Sequence, residues 1–389
     1  MIKKWSSRLT FFAFVVLMVG LGSNDSLRGI FSTIFQEHFS LTTTQLGLIV
    51  TASYIGNLVF LLVGGNLSTR FSKKRVLQVL ILIWMAALAL FAFTSNYTVL
   101  LIGMALALGS STLLNTTMNL ITPLLFATAP GFFVNFLFFT QEIGTSGSQY
   151  ILGSHADGFA FWQHTNLVLL ILGAVAFVLL LFCNVPEEAA APADAPAQKG
   201  GYDWRIIVPY VLVFGFYFIA EHGVMNWMVA YGVDGLGLPQ ASAAKYLSVF
   251  FGGMMIGRLC LSPLVDKLGA LKSLAAFGGV SCVLYLIGSL GGAVTMPVWA
   301  ISGLSFSILY PTLVMSIRLY FPAQQVSGAA GTILSIASLA DILFNVGFGK
   351  LVDMAGYAVS IRVLPLSVLA FFIVFMLFTK FCKPTQKLK

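Results

Sequence analysis

Apolar residues run through this chain in long blocks, not in strand-like alternation or a one-sided helical stripe. Twelve blocks stand out, near 9–35, 42–66, 75–94, 98–126, 131–153 and 165–184, then 205–231, 241–263, 271–290, 296–320, 327–350 and 358–380. Each approaches or exceeds the roughly 20 residues that carry a helix across the hydrocarbon layer. Polar residues gather in short groups between the blocks, with one long break at 185–203, VPEEAAAPADAPAQKGGYD. Its content of Ala, Pro and acid predicts a flexible cytoplasmic linker over 185–204. The pattern predicts an all-α membrane protein of twelve transmembrane helices, in two six-helix bundles at 1–184 and 205–389.

Composition strengthens this reading. Of 389 residues, 58% are apolar and only 9% charged, with a mean hydropathy of +0.94, whereas soluble domains carry about 25% charged residues. The net charge of +8 is spread in small groups between apolar blocks, so positive cytoplasmic loops account for it without a nucleic-acid partner. With both termini placed in the cytoplasm, 17 Lys and Arg residues fall on that side, among them Arg70, Arg258, Lys267 and Arg318. Only Lys245, Lys350 and Arg362 fall outside, which sets the expected orientation in a cell inner membrane. The four cysteines have no metal-ligand spacing, so no metal site is expected. The first apolar run is too long for a signal-peptide core and is expected to remain as the first helix.

A faint repeat relates the two halves. Gly56, Leu67, Arg70 and Phe71 reappear 197 positions later as Gly253, Leu264, Lys267 and Leu268. Two parallel six-helix repeats with a solute site between them form a transporter architecture, in which one half rocks against the other.

The residues now support a resemblance. The loop G65-N-L-S-T-R-F-S-K-K-R75, echoed by L264-V-D-K-L-G-A-L-K272, resembles the signature between helices 2 and 3 of the major facilitator superfamily. That resemblance implies a cytoplasmic charge latch involving Arg70, Asp266 and Lys267, with Thr69 where the first half would carry an acid. Within the superfamily, N24-D-S-L27, F35-Q-E-H-F-S-L-T-T-T-Q-L-G-L-I49, A220-E-H-G-V-M-N226, F251-G-G-M-M-I-G-R258 and Y310-P-T-L313 resemble segments of the fucose:proton symporter family. There, an Asp at the position of Asp25 carries the proton, and a Glu is common at the position of Glu221. This chain departs from the family by having Asn115 where a Glu is expected in helix 4, Phe138 for a Gln and Gln141 for an Asn in helix 5.

An ionisable group in the bilayer interior costs about 2.5–3.5 kcal/mol on insertion scales, so each is a functional candidate. Asp25, Arg28, Glu142, Glu221, His222 and Asp341 fall deep within predicted helices. Asp25, Glu142, Glu221 and Asp341 are the proton-coupling candidates, because burial favours a neutral carboxyl. Arg28, three residues from Asp25 on the same helical face, is either a modulator or a permanent ion-pair partner. For Glu221 and His222 the alternatives are contacts with solute or packing interactions satisfied within the protein. Solute-binding candidates are Asn24, Arg28, Asn115, Asn119, Gln141, Glu221, His222, Asn226, Tyr310 and Asn345. Trp227, Tyr54 and Phe251 are candidates to stack on a sugar ring, against a competing core-packing role. Pro311 predicts a kink in helix 10.

No nucleotide loop, zinc motif or nucleophile elbow is present, so no enzymatic activity and no cofactor are expected. The expected function is proton-coupled uptake of a small polar solute, with sugar as the leading class. The alternatives are a proton-coupled exporter of drugs or metabolites and, less favoured, a lipid or glycolipid flippase. The expected partners are solute, protons and the lipid bilayer, with the protein acting as a monomer.

Overall fold

The computed structural model describes the backbone of residues 2–126, 130–183, 185 and 203–384. The linker expected at 185–204 therefore lies almost wholly outside the described residues. Helix dominates throughout, and no strand occurs among the described residues. By length and composition, 11 helical stretches among the described residues can cross a membrane. The remaining predicted span, 131–153, corresponds to a 22-residue helix at Pro130–Ile151. The chain divides into two compact units.

Unit 1 comprises residues 1–41 and 48–198. Its helices are α1 (Ile2–Ile30), α2 (Ser32–Phe39), most of α3 (Thr43–Arg70), α4 (Lys73–Phe93), α5 (Tyr97–Leu125), α6 (Pro130–Ile151) and α7 (Phe159–Leu181). The first predicted span is realised as α1 continued by the short α2. The sixth begins at Phe159, six residues earlier than its apolar block suggests. Trp162 explains the extension: it is 1% exposed and packs edge-on against Phe31 at 5.3 Å and Phe35 at 4.8 Å. Burial of such a ring outweighs the weak polarity of its neighbours Gln163 and His164.

The core of unit 1 is the crossing of α1 with α6. A Cβ added at Gly22 would lie 2.0 Å from the Gln141 carbonyl oxygen, and one at Gly144 would lie 2.1 Å from that of Val19. Only Gly permits this approach, which brings polar side chains onto the opposing backbone. Ser23 Oγ donates to the Gly144 carbonyl at 3.3 Å and Thr145 Oγ1 to the Gly22 carbonyl at 3.2 Å. Small residues and hydroxyls thus join these helices where water is absent.

Unit 2 comprises residues 42–47 and 199–389. Its helices are α8 (Trp204–Ala230), α9 (Gln240–Leu268), α10 (Ala270–Leu290), α11 (Met296–Ile301), α12 (Gly303–Phe306), α13 (Leu309–Ser316), α14 (Ala323–Ala355), α15 (Tyr357–Ser360) and α16 (Val363–Phe381). Helix α8 is the hub, packed on α14, α16 and α9. The predicted tenth span is three short helices in series. One break, at Ser307–Ile308, falls four residues before Pro311, whose missing N–H would have bonded the Ser307 carbonyl. The expected proline effect is therefore a helix break displaced by one turn. The other break, at Ser302, precedes Gly303, where an added Cβ would meet the Phe250 carbonyl oxygen at 2.0 Å.

Within unit 2, the segment Thr42–Gly47 starts α3, and Asp353 caps it. Asp353 Oδ1 accepts from the Thr43 N–H at 2.8 Å, and Oδ2 accepts from the Thr44 N–H at 2.7 Å. The first N–H groups of a helix lack intrahelical partners and carry partial positive charge, so a carboxylate serves both needs. Asp353→Ala is expected to lower stability by about 1 kcal/mol, and Asp353→Asn by less. The unfolding midpoint of the detergent-solubilised protein measures both.

Candidate functional site

Unit 1 places Asp25 and Arg28 on α1. Asp25 accepts from Ser111 Oγ of α5 at 3.3 Å, with Arg28 and Asn24 as its other polar neighbours. Its second oxygen, Oδ1, is buried without a hydrogen-bond partner. Arg28 is 5% exposed and sets its guanidinium over the Tyr54 ring, 5.6 Å from the centroid. Tyr54, expected as a platform for a sugar, thus faces a cation of its own unit. Sequence reasoning misses Ser111, because a serine in an apolar helix carries no signal until its partner, 86 positions away, is known.

The amide candidates of unit 1 form one chain. Asn119 Nδ2 donates to Asn115 Oδ1 at 2.6 Å, and Asn115 Nδ2 donates to Gln141 Oε1 at 2.7 Å. Asn119 Oδ1 has no partner. The one-turn spacing on α5 aligns the two asparagines, and α6 supplies the glutamine. Glu142, the next residue, is half-buried.

Unit 2 joins several predicted residues across α8 and α14. His222 Nδ1 lies 2.5 Å from Asp341 Oδ2, with Asp341 only 2% exposed. Asn345 Nδ2 donates to the Asp341 carbonyl at 2.8 Å, and Asn345 Oδ1 accepts from Trp227 Nε1 at 2.9 Å. Trp227 and Asn345 are each 0% exposed. Two expectations change as a result. Trp227 is no exposed platform, because its ring packs on Phe348 at 4.8 Å and its N–H is engaged. Asn345 uses both ends of its amide on this network and offers neither to a solute. Asn226 and Phe251 are also buried, each at 2% exposure, which favours the packing role for Phe251.

Glu221 lies in a second cluster. It acts electrostatically on the hydroxyls of Tyr217, Tyr285 and Tyr310, and Arg258 acts on two of the same hydroxyls. The apolar pattern puts Arg258 among the charges at cytoplasmic helix ends. Helix α9 continues ten residues past it to Leu268, about 15 Å at 1.5 Å per residue. Its neighbour Tyr217 sits midway along α8. Of the predicted latch, Arg70 and Asp266 have side chains outside the described residues, and Lys267 is exposed.

Interior carboxylates and a buried arginine on membrane-length helices are the chemistry a solute pathway needs, and sequence comparison decides the family. The profile of the Major Facilitator Superfamily matches residues 10–343. The chain belongs to that superfamily. It is therefore a transporter of the twelve-helix fold and a multi-pass membrane protein. As a Major Facilitator Superfamily member it is 24% identical over 333 residues to the L-fucose-proton symporter of Escherichia coli (strain K12), covering 74% of this chain and 75% of the relative. It is 24% identical over 297 residues to the cis,cis-muconate transport protein of Acinetobacter baylyi (strain ATCC 33305 / BD413 / ADP1), covering 71% and 70%. Among solved structures, the crystal structure of a D-xylose-proton symporter superposes with a TM-score of 0.78 at 16% identity, covering 97% of this chain and 98% of that one. At that identity the likeness speaks for the superfamily fold.

Proposed function

We propose that the protein is a proton-coupled symporter that takes up a small polar solute, a sugar or a hydroxylated relative of one, by alternating access. The observation that carries this reading is the setting of Asp25. It is an interior carboxylate with one satisfied and one orphaned oxygen, held beside a buried guanidinium. A carboxylate with an unfilled acceptor in the membrane interior is suited to bind a proton and release it when its surroundings change. Two relatives support the reading by their names, which specify a sugar with a proton and a small diacid. In this account Asp25 binds the coupling proton, Arg28 sets how readily it leaves, and Asn119, at the end of the Asn119–Asn115–Gln141 chain, keeps an unfilled amide oxygen suited to a solute hydroxyl.

The test is tracer uptake into proteoliposomes with an acidic exterior and an inside-negative potential. L-fucose, D-xylose, D-glucuronate and cis,cis-muconate form the panel. Accumulation of at least one of them, abolished by a protonophore, is expected. Equilibration without accumulation for every solute would overturn proton coupling for this panel.

A further inference from the structure

Helix α3 is divided between the two units. Its start, Thr42–Gly47, belongs to unit 2, and from Leu48 onward it belongs to unit 1. The start is held along α14 in two ways. One is close backbone approach: a Cβ added at Gly47 would lie 2.4 Å from the Asn345 carbonyl oxygen, and one at Gly349 would lie 2.4 Å from that of Thr43. The other is Asp353, which closes the seam at its exposed end. Its carboxylate accepts from the N–H groups of Thr43 and Thr44 and, at 2.5 Å, from Thr44 Oγ1.

Asp353 stands in the last turn of α14, three residues from its end at Ala355. A carboxylate there meets the partial negative charge of its own helix C-terminus, so it works against α14 and in favour of α3. The seam is also easy to part. It joins glycines and one exposed carboxylate, with no interlocked large side chains at those points, and water can replace the hydrogen bonds of Asp353 at small net cost.

We infer that Asp353 is the catch of a clasp that holds the first turn of α3 to unit 2 in this state and lets it go once in each transport cycle. The inference rests on the alternating-access reading. When one half moves against the other, α3 cannot follow both. Either it bends between Gly47 and Leu48, or its start leaves α14. Bending would open backbone hydrogen bonds farther along the helix, toward the membrane interior, where no water takes their place. Sharp kinks favour proline, and α3 has none. Release breaks bonds only at the exposed end of the helix, so release is the cheaper course. In the expected orientation that end lies outside, which assigns the release to the step that admits solute.

The test has two arms, and the first needs no transport. Hydrogen exchange of the backbone at residues 42–47 is followed by mass spectrometry on the whole protein in detergent. Asp353→Ala is expected to speed it about fivefold, the usual worth of an N-terminal cap. Asp353→Asn is expected to speed it less, because the amide keeps one acceptor. Lys350→Gln, at an exposed position of the same helix, is expected to leave it unchanged, and the crossing of α1 with α6 should exchange at the parent rate in all three variants. Unchanged exchange at 42–47 in Asp353→Ala, or acceleration spread evenly over both units, would overturn the inference.

The second arm links Thr44→Cys to Asp353→Cys with a short, reducible bifunctional thiol reagent, in a Cys260→Ser, Cys382→Ser background. In vesicles the linked protein is expected to lose exchange of labelled for unlabelled solute and to regain it on reduction. Exchange at the unlinked rate would overturn the inference, because α3 would then be bending. A parent protein that exchanges no solute of the panel, together with the expected result in the first arm, would defeat the transport reading and leave Asp353 as a catch that opens locally.

Discussion

Asp25→Asn is expected to reduce solute accumulation to simple equilibration. One pH unit across the membrane is worth 1.36 kcal/mol per proton, so a one-proton symporter sustains about tenfold accumulation from that gradient alone. The variant should bring this ratio to about one, because the amide keeps the shape of the side chain and removes its ability to bind and release a proton. Exchange of labelled for unlabelled solute, which needs reorientation but no net proton movement, should persist within a few fold. That contrast separates a coupling defect from a folding defect. Accumulation that survives in Asp25→Asn would move the coupling proton to another carboxylate, with Glu142 and Asp341 next in line. Ser111→Ala removes the bonded donor but leaves the carboxylate, so it should alter the pH dependence of uptake and retain accumulation.

The second large effect concerns packing. Gly144→Val is expected to destabilise unit 1 by about 3 kcal/mol or to prevent folding, at the upper end of what overpacking costs. Its first added carbon would lie 2.1 Å from the Val19 carbonyl oxygen and 3.0 Å from the Ser23 nitrogen. Both are backbone atoms that move only if α1 moves. Such a shift would carry Asp25, within two turns of Val19 and Ser23, away from Ser111. Gly147→Ala is the control: nothing lies within 4 Å of a Cβ there, and the change is expected to be neutral or stabilising by up to about 1 kcal/mol. Buried Cys183 and Cys282 supply the readout. In a Cys260→Ser, Cys382→Ser background, thiol labelling during heating should reach its midpoint well below that of the parent for Gly144→Val. For Gly147→Ala it should stay at or above the parent value.

Much of the fold could be read from the sequence because the bilayer imposes a length on every apolar block. Boundaries and interruptions were less legible. Trp162 extends α7 through contacts with Phe31 and Phe35, more than a hundred positions away. The breaks of the predicted tenth span depend on Pro311 and on the approach of Gly303 to Phe250. The site was legible as a set of residues, because an interior charge is conspicuous in an apolar helix. Its pairings were not. His222 with Asp341, and Asp25 with Ser111, are brought together by tertiary packing across 119 and 86 positions. Trp227 and Asn345 show the limit of reading residue types alone: an aromatic and an amide that could contact a sugar spend their polar atoms on each other.

The most direct test of proton-coupled uptake uses no imposed gradient. D-glucuronate, L-fucose or D-xylose is added to lightly buffered proteoliposomes with a pH-sensitive dye trapped inside and an electrode outside, with potassium and valinomycin clamping the potential. The account predicts that at least one solute causes the interior to acidify and the exterior to turn alkaline, in step with its entry, and that Asp25→Asn abolishes the response. Interior alkalinisation on solute entry would mean proton–solute exchange in opposite directions and would contradict the account.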